Sequence, residues 1–196
     1  MLGDGIYEVI PVYSGKLFRL DQHLQRLDSS LKGVQITPPY SHEEWEKILT
    51  ELVGRTEGDD QSVYLQITRG VAPIRDHQFP ENITPTVFAM SNPFSLPSSA
   101  LLEKGISVIT LEDIRWKHCN IKAITLLANV LSRQQALDEG AMDAILVRDG
   151  EAIEGAASNL FIVKDNTILT PPKSEKLLPG ITRDLILELA QANNIP

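Results

Sequence analysis

Hydrophobic positions along the first third of the chain change from a period of two to a period of three to four. Residues 6–13 are rich in β-branched and aromatic side chains, and the turn Ser14–Gly15 separates them from residues 16–20. This pattern predicts a β-hairpin. Asp21 is placed to cap a helix that follows. The apolar positions of that helix recur at helical spacing and predict one buried face, formed by Leu24, Leu27 and Leu31.

The same patterns predict a second helix and two further strands before residue 92. Ser41 and Glu44 have the spacing of a capping box, and the helix that they open is predicted to end at Gly54. Alternation over residues 62–69 and β-rich composition over residues 86–91 predict two strands. The helix is expected to turn four apolar side chains inward, which are Trp45, Ile48, Leu49 and Leu52.

A stretch rich in proline and serine, residues 92–99, is the best candidate for an interdomain linker. It divides the chain into a small N-terminal domain, residues 1–91, and a C-terminal domain, residues 100–196. The second half begins with a predicted strand at residues 106–111, followed by a polar turn and a helix that ends at Gly140.

Lys122 lies where that polar turn is predicted to become the helix. The ammonium form of an amine is disfavoured at the positive end of a helix and in a semi-apolar setting. Schiff-base chemistry needs the neutral amine. A solvated lysine in front of a helix is the plain alternative. The buried face of the helix is expected to contain Ile124, Leu127, Ala128 and Leu131.

Two features near the C-terminus likewise have both a functional and a purely structural interpretation. Glu154 directly precedes a loop of small residues, Gly155–Asn159, which allows another group to approach the backbone closely. Thr182 is predicted to cap the last helix, with Ile181 and Ile186 as a hydrophobic staple, and a glycine before a helix N-terminus suits phosphate. An exposed strand-end carboxylate and ordinary capping explain these residues equally well. Three short strands are predicted around them, at residues 143–147, 160–163 and 168–170.

Composition narrows the function classes. The 196 residues carry a net charge of −8, which argues against a nucleic-acid backbone binder. The single cysteine, Cys119, fits a reducing compartment. The sequence has no signal-peptide pattern and no apolar run near membrane-spanning length, so a cytoplasmic protein without a membrane partner is expected. The four histidines lie in unrelated contexts, so no metal site is predicted.

Two pairs of basic residues lie close together in the sequence, and the second pair is a candidate for binding a carboxylate. His23 and Arg26 are three positions apart on the first helix, and Arg75 and His77 lie in the long loop after Gly70. A guanidinium matches the geometry of carboxylate and phosphate groups, although plain surface charge accounts for each pair taken alone. Together the candidates supply an amine, an acid, an arginine and a helix N-terminus, which are the parts of a pyridoxal phosphate site.

The motifs that contain these candidates resemble those of the class IV aminotransferases, which have the type IV fold of pyridoxal phosphate enzymes. The resemblance covers essentially the whole chain and implies an α+β fold of two domains, a small N-terminal α/β domain and a larger C-terminal mixed-sheet domain. It implies pyridoxal 5'-phosphate as the cofactor. It rests on six motifs, at residues 3–9, 24–27, 68–73, 120–122, 154–159 and 180–183.

The resemblance also implies a role for each candidate residue. Lys122 would be the Schiff-base lysine, and Glu154 would be the partner of the pyridine nitrogen. Arg26 would hold the phosphate together with Ile181 and Thr182. Three more residues would complete the cofactor site, with Leu178 packed against the ring and Ser158 and Asn159 lining the pocket.

The pair Arg75 and His77 points to the D-amino acid aminotransferases within the family. In those enzymes such a pair, with a tyrosine that matches Tyr7, holds the substrate α-carboxylate, and its loop reaches the neighbouring subunit's site. The expected activity is therefore transamination between a D-amino acid such as D-alanine and a 2-oxo acid, in a homodimer.

Two alternative hypotheses for the function remain open. A branched-chain L-aminotransferase or an aminodeoxychorismate lyase is the alternative within the family, and a truncated, catalytically inactive fold fragment is the alternative of another class. Ala156 and Ala157 stand where many relatives carry serines. The family's opening strands and its final segment are missing, so the C-terminal domain is expected to be incomplete and the chain to be truncated at both ends.

Overall fold

The computed structural model describes residues 2–196, which form two compact units. The first unit contains the chain up to Leu96 together with Ile121–Ile124, and the second contains Pro97–Asn120 and Thr125–Pro196. The short segment 121–124 has no counterpart in the sequence-based boundaries, which stay a prediction.

The first unit is a four-stranded antiparallel sheet with two helices. Its strands are β1 (Gly5–Tyr13), β2 (Lys16–Leu17), β3 (Gln61–Thr68) and β4 (Thr86–Pro93), in the spatial order β2-β1-β3-β4. The helices α1 (Leu20–Gly33) and α2 (His42–Gly54) provide the other half of the core.

The core of this unit follows from the alternation along β1 and β3. Inward-pointing Ile6 and Ile10 on β1 lie opposite Ile67 and Val63 on β3, and all four are fully buried. The predicted stripe of α1, Leu24, Leu27 and Leu31, is buried in one cluster with Ile6 and Ile67, so this prediction is confirmed. Full burial of each such side chain stabilises the fold by about 1.5–3 kcal/mol. Because the period is two, Glu8 also points into the core.

The starts of the two helices had different outcomes. The capping box of α2 is present, with the Ser41 hydroxyl accepting from the Glu44 N–H and the Glu44 carboxylate accepting from the Ser41 N–H. The prediction that Asp21 caps α1 is wrong. The helix already begins at Leu20, behind Arg19, whose backbone lies in the left-handed region.

The second unit contains a three-stranded mixed sheet. Strands β5 (Val108–Glu112) and β6 (Asp143–Arg148) are parallel, and β7 (Glu151–Gly155) pairs antiparallel with β6. A hairpin of β8 (Ile162–Lys164) and β9 (Thr167–Leu169) forms separately. The helices of this unit are α3 (Ser99–Lys104), α4 (Leu127–Asp138) and α5 (Ile181–Ala192). The predicted α+β class is confirmed.

Helix α4 corrects two predictions. It begins at Leu127, so Lys122 does not lie at its positive end. The predicted buried face is also wrong, because Leu127 and Leu131 are 71% and 53% exposed. The buried residues of α4 are Ser132 and Ala136, and Ala136 packs against Ala144 and Leu146 of β6. Small side chains bring the helix close to the sheet, and the larger apolar stripe faces away.

Within residues 2–196, no helix is long and apolar enough to cross a bilayer. The same residues contain no group of three or more His, Cys, Asp or Glu side chains that could hold a metal ion.

Candidate active site

Lys122 is fixed by its backbone to strand β1. The Lys122 carbonyl accepts from the Tyr7 N–H at 2.9 Å, and the Lys122 N–H donates to the Ser30 hydroxyl of α1 at 3.2 Å. Ala123 forms an isolated bridge with Ile6. Because β2 pairs only with the last residues of β1, the rest of that edge is open to this segment. The lysine therefore sits on an ordered sheet edge instead of a helix end.

The Lys122 amine lies over an aromatic ring. Its Nζ is 4.1 Å from the centroid of the Tyr7 ring, and the Tyr7 ring stacks on Tyr64 at 5.8 Å. Burial, followed by the nearby Glu8 carboxylate, raises the pKa of Tyr7 above its ordinary value. Tyr7 therefore remains a neutral phenol at neutral pH, with a hydroxyl proton to donate.

Arg26 is held by a buried carboxylate. Glu8 accepts hydrogen bonds from Arg26 Nε at 2.8 Å and from Arg26 Nη2 at 2.7 Å, and its Oε2 lies 2.8 Å from His23 Nδ1. Burial tends to raise the pKa of Glu8, but the hydrogen bonds from Arg26 and His23 hold it below the ordinary value. We call Glu8, His23 and Arg26 the Glu8 triad. It fixes the direction of the Arg26 guanidinium.

The loop that contains Arg75 and His77 is attached to the sheet through Arg69. The Arg69 guanidinium donates to Asp4 at 2.9 Å and to the carbonyls of Val34 and Gln35, and the Phe79 ring lies 3.6 Å from it. A cavity of about 520 Å³ lies beneath the loop, and both Arg75 and His77 line it. The two predicted carboxylate-binding residues thus share one cavity wall.

In the second unit, Glu154 is buried near the end of β7. Its carboxylate accepts from Asn159 Nδ2 at 2.9 Å, from the Leu178 N–H at 3.2 Å and from Arg115 Nη1. Burial raises the pKa of Glu154 above the ordinary value, although Arg115 opposes this. Asn159 also donates to the Leu178 carbonyl at 3.0 Å. The structure therefore brings three predicted residues, Glu154, Asn159 and Leu178, into direct contact.

Arg115 connects Glu154 to two further charges. Its Nε and Nη2 donate to the two oxygens of Asp113 at 2.8 and 2.9 Å, and Arg148 Nη2 lies 2.8 Å from Asp113 Oδ2. Hydrogen bonds from Arg115 outweigh burial and lower the pKa of Asp113. We call Asp113, Arg115, Arg148 and Glu154 the Arg115 network.

Helix α5 begins two residues earlier than predicted. Its N-cap is Gly180, so the prediction that Thr182 caps the helix is wrong, and Ile181 and Thr182 are its first two residues. A Cβ at position 180 would collide with Asn159 Oδ1, which accounts for the glycine. Gly180 has no side chain to cap the helix, so the first N–H groups suit an outside anion. Ser158 is exposed, and its carbonyl accepts from the Gly155 N–H at 2.7 Å.

Comparison with known proteins decides the family. The family model of the amino-transferase class IV matches residues 5–196. The chain belongs to the class IV aminotransferases. A D-alanine aminotransferase from Bacillus licheniformis is 42% identical over 98% of this chain and 68% of the relative's length.

Solved aminotransferase structures resemble the fold closely. The branched-chain amino acid aminotransferase of Escherichia coli is 27% identical and superposes with a TM-score of 0.90, over 99% of this chain and 67% of that one. A hypothetical aminotransferase from Mycobacterium tuberculosis, bound to α-ketoglutarate and PMP, is 25% identical with a TM-score of 0.82, over 98% of this chain and 70% of that one. The predicted family, enzyme class and cofactor are confirmed, while the role of each site residue stays a prediction.

Each of the two units, taken separately, presents residues whose chemistry fits part of the class IV cofactor. Pyridoxal phosphate needs an amine, an acid for its ring nitrogen and an anion site for its phosphate. Lys122 supplies an amine from an ordered backbone position, Glu154 supplies a buried carboxylate, and α5 begins without a side-chain cap. Lys122 and Arg26 belong to the first unit, and Glu154, Ile181 and Thr182 belong to the second.

The predictions from the sequence missed two charged residues, Arg115 and Glu8, which contact the candidate residues Glu154 and Arg26. Arg115 reads as an ordinary polar turn residue, and its contact with Glu154 joins positions 39 residues apart, which no local pattern reveals. Glu8 had a signal, because a carboxylate in the inward register of a strand needs a partner. The nearest cationic candidates were His23 and Arg26, already noted on one helix face.

Proposed function

We propose that this class IV aminotransferase transfers the amino group between a D-amino acid, with D-alanine as the first candidate, and a 2-oxo acid. The observation that carries the proposal is the 37–42% identity to D-alanine aminotransferases over nearly the whole chain. The shared cavity wall of Arg75 and His77 adds a carboxylate-binding pair of the kind that was expected for D-specific enzymes.

In this proposal Lys122 moves the substrate proton. Pyridoxal phosphate, when bound, withdraws electron density from Cα of the amino acid. Lys122 then acts as base and acid at Cα, from a backbone position that two hydrogen bonds hold in place. Glu154 keeps the proton of the cofactor ring nitrogen in place, because its carboxylate is buried and oriented by Asn159 and the Leu178 N–H.

The remaining residues bind and orient. Arg26, with Ile181 and Thr182 at the start of α5, holds the phosphate. Tyr7 of one subunit, with Arg75 and His77 from the loop of the neighbouring subunit, holds the substrate carboxylate, and this clamp decides which face of Cα meets the lysine. Leu178 packs against the ring, and Ser158 and Asn159 line the cofactor pocket.

The first experiment replaces the amine. Lys122→Ala should lose at least about 10²–10⁴-fold in transamination rate, the size of a general acid–base contribution, and should lose the visible absorbance of the bound cofactor. Lys117→Ala removes an exposed lysine five residues away and should leave both unchanged. Borohydride treatment followed by peptide mapping should attach the cofactor at residue 122. Full activity in Lys122→Ala would remove Lys122 from the mechanism.

Substrate choice separates the proposal from its alternatives within the family. D-alanine should react faster than L-leucine and aminodeoxychorismate, and Arg75→Ala should raise KM for D-alanine more than it lowers kcat. Preference for L-leucine would favour a branched-chain enzyme, the activity named for the Escherichia coli structural relative. If added pyridoxal phosphate gives no visible absorbance and no trapped adduct, this chain is a silent module.

We further propose a homodimer in which the loop with Arg75 and His77 reaches the neighbouring site. The loop has apolar side chains suited to a partner, since Val71 and Ile74 are 85% and 76% exposed. Sedimentation should give a mass of twice that of one chain. The Ile74→Asp variant should give a lower mass, closer to that of a single chain. A cytoplasmic location is proposed with it, in keeping with the single cysteine, which is free and buried.

A further inference from the structure

The charges of the Arg115 network alternate in sign. Arg148 contacts Asp113, Asp113 accepts two hydrogen bonds from Arg115, and Arg115 donates to Glu154. The four side chains are at most 16% exposed. The Arg115 guanidinium is therefore shared by two carboxylates, one of which is the proposed partner of the ring nitrogen.

We propose that Arg115 is a positioning residue which orients the Glu154 carboxylate and keeps it ionised, with Asp113 limiting the strength of that effect. The inference rests on the proposed function in one respect, the assignment of Glu154 to the cofactor ring nitrogen. An ionised, fixed carboxylate stabilises a proton on that nitrogen, whereas a protonated one does not.

The geometry explains how Arg115 is itself fixed. Two parallel hydrogen bonds to Asp113 set the plane of the guanidinium, and Nη2 also contacts the Lys176 carbonyl at 3.3 Å. This leaves Nη1 directed at Glu154 Oε1. Such a two-point contact is available to a planar guanidinium and is not available to an ammonium group.

The surrounding charges act on Glu154 in opposite directions. Burial raises the pKa of Glu154, Arg115 and the Leu178 N–H lower it, and Asp113 raises it. Asn159 is a neutral donor to the same carboxylate. Arg148 is paired with Asp113, Cys119 lies beside Arg115 and Arg148, and the Lys176 ammonium is directed to Glu151 and Asp149.

Two substitutions in the network should consequently have opposite effects on Glu154. Arg115→Gln removes the nearest cation and should raise the pH at which Glu154 takes up a proton, by about one pH unit or more, the effect typical of a neighbouring opposite charge. Asp113→Asn removes an anion that offsets Arg115 and should lower that pH. A merely structural contribution of the network would not give shifts of opposite sign.

The test follows the Glu154 carboxyl directly, in the full chain without cofactor. Glutamate labelled with ¹³C at the side-chain carboxyl is titrated by NMR in the wild type, Arg115→Gln and Asp113→Asn, and Glu154→Gln identifies the resonance. Arg115→Lys keeps the charge but loses the two-point contact, so it should retain part of the wild-type midpoint. Circular dichroism identifies the variants that fold. If Arg115→Gln does not fold, Arg115→Lys replaces it in the titration.

Midpoints displaced in opposite directions would support the inference, and unchanged midpoints or displacements of the same sign would overturn it. In the cofactor-loaded enzyme, the acid limb of the kcat/KM profile for D-alanine should move in the same directions as the midpoints. If the midpoints move as expected but Glu154→Gln keeps its activity and visible spectrum, the assignment of Glu154 to the ring nitrogen is wrong. Loss of activity in Lys122→Ala tests the proposed function separately.

Discussion

Replacing Glu8 tests whether the Glu8 triad stabilises the first unit. Glu8 is fully buried and accepts three hydrogen bonds, two from Arg26 and one that involves His23. Glu8→Gln keeps the shape but removes the charge and points an amide group at a guanidinium that can only donate. Breaking a buried ion pair from one side typically costs about 3–5 kcal/mol. We expect a loss of this size in the free energy of unfolding at neutral pH.

The measurement can be confined to the first unit. Trp45 is buried in its core, and Trp116 is half exposed in the second unit, so a Trp116→Phe background leaves Trp45 as the fluorescent reporter. In urea, a loss of about 3–5 kcal/mol should lower the unfolding midpoint by roughly 1–3 M, for a slope of about 2 kcal/mol/M. Glu46→Gln changes an exposed carboxylate and should stay within about 0.5 kcal/mol of the parent.

The pH dependence of the Glu8→Gln effect has a defined sign. The pKa of Glu8 lies below its ordinary value of 4.5 in the folded chain, so the charge stabilises the fold above that pH and ceases to do so as the pH falls through the folded pKa. The difference between parent and variant should be constant from pH 8 to 6 and should shrink below about pH 4.5. A difference below 1 kcal/mol at neutral pH, or one that grows in acid, would refute this account.

Three further substitutions test the first unit. Ser41→Ala removes the capping box of α2 and should cost about 0.5–2 kcal/mol in urea unfolding, whereas an unchanged midpoint would show that the cap is dispensable. Gly70→Ala would bring a Cβ against the Thr84 carbonyl at a positive φ and should cost more than about 2 kcal/mol, while Gly54→Ala meets open space and should be neutral. Phe79→Leu removes the ring beside Arg69 and should expose the loop to faster limited proteolysis, with Phe79→Tyr protecting it; equal rates for both variants would contradict this.

Local patterns in the sequence predicted most of the first unit, although the cap at Asp21 was wrong and Ile48, expected to face inward, is 36% exposed. The leucines of α1 and the box at Ser41 depend on neighbours three or four positions away, and the structure confirms both. The buried face of α4 could not be predicted in this way, because tertiary packing placed Ala136 and not Leu131 against the sheet. Helix propensity and apolar periodicity do not encode which face a neighbouring sheet will accept.

The same distinction between local sequence motifs and tertiary contacts applies to the candidate site. The resemblance supplied Lys122 and Glu154 because their flanking motifs are short and continuous. The contacts that orient them could not be predicted, since Tyr7 and Arg115 meet these residues across 115 and 39 positions. The expected helix end at Lys122 was wrong for a related reason, namely that this segment is recruited to the β1 edge instead of continuing into α4.

The return of residues 121–124 to the first unit has a consequence for biosynthesis. A ribosome that has released only the polypeptide up to Leu96 has produced every helix and strand of that unit, but not the partner of the Tyr7 N–H. The edge of β1 must wait until Pro97–Asn120 has also emerged. Residues 121–124 are therefore the last part of the first unit to emerge, and a product terminated before them would present an unpaired strand edge prone to associate with other chains.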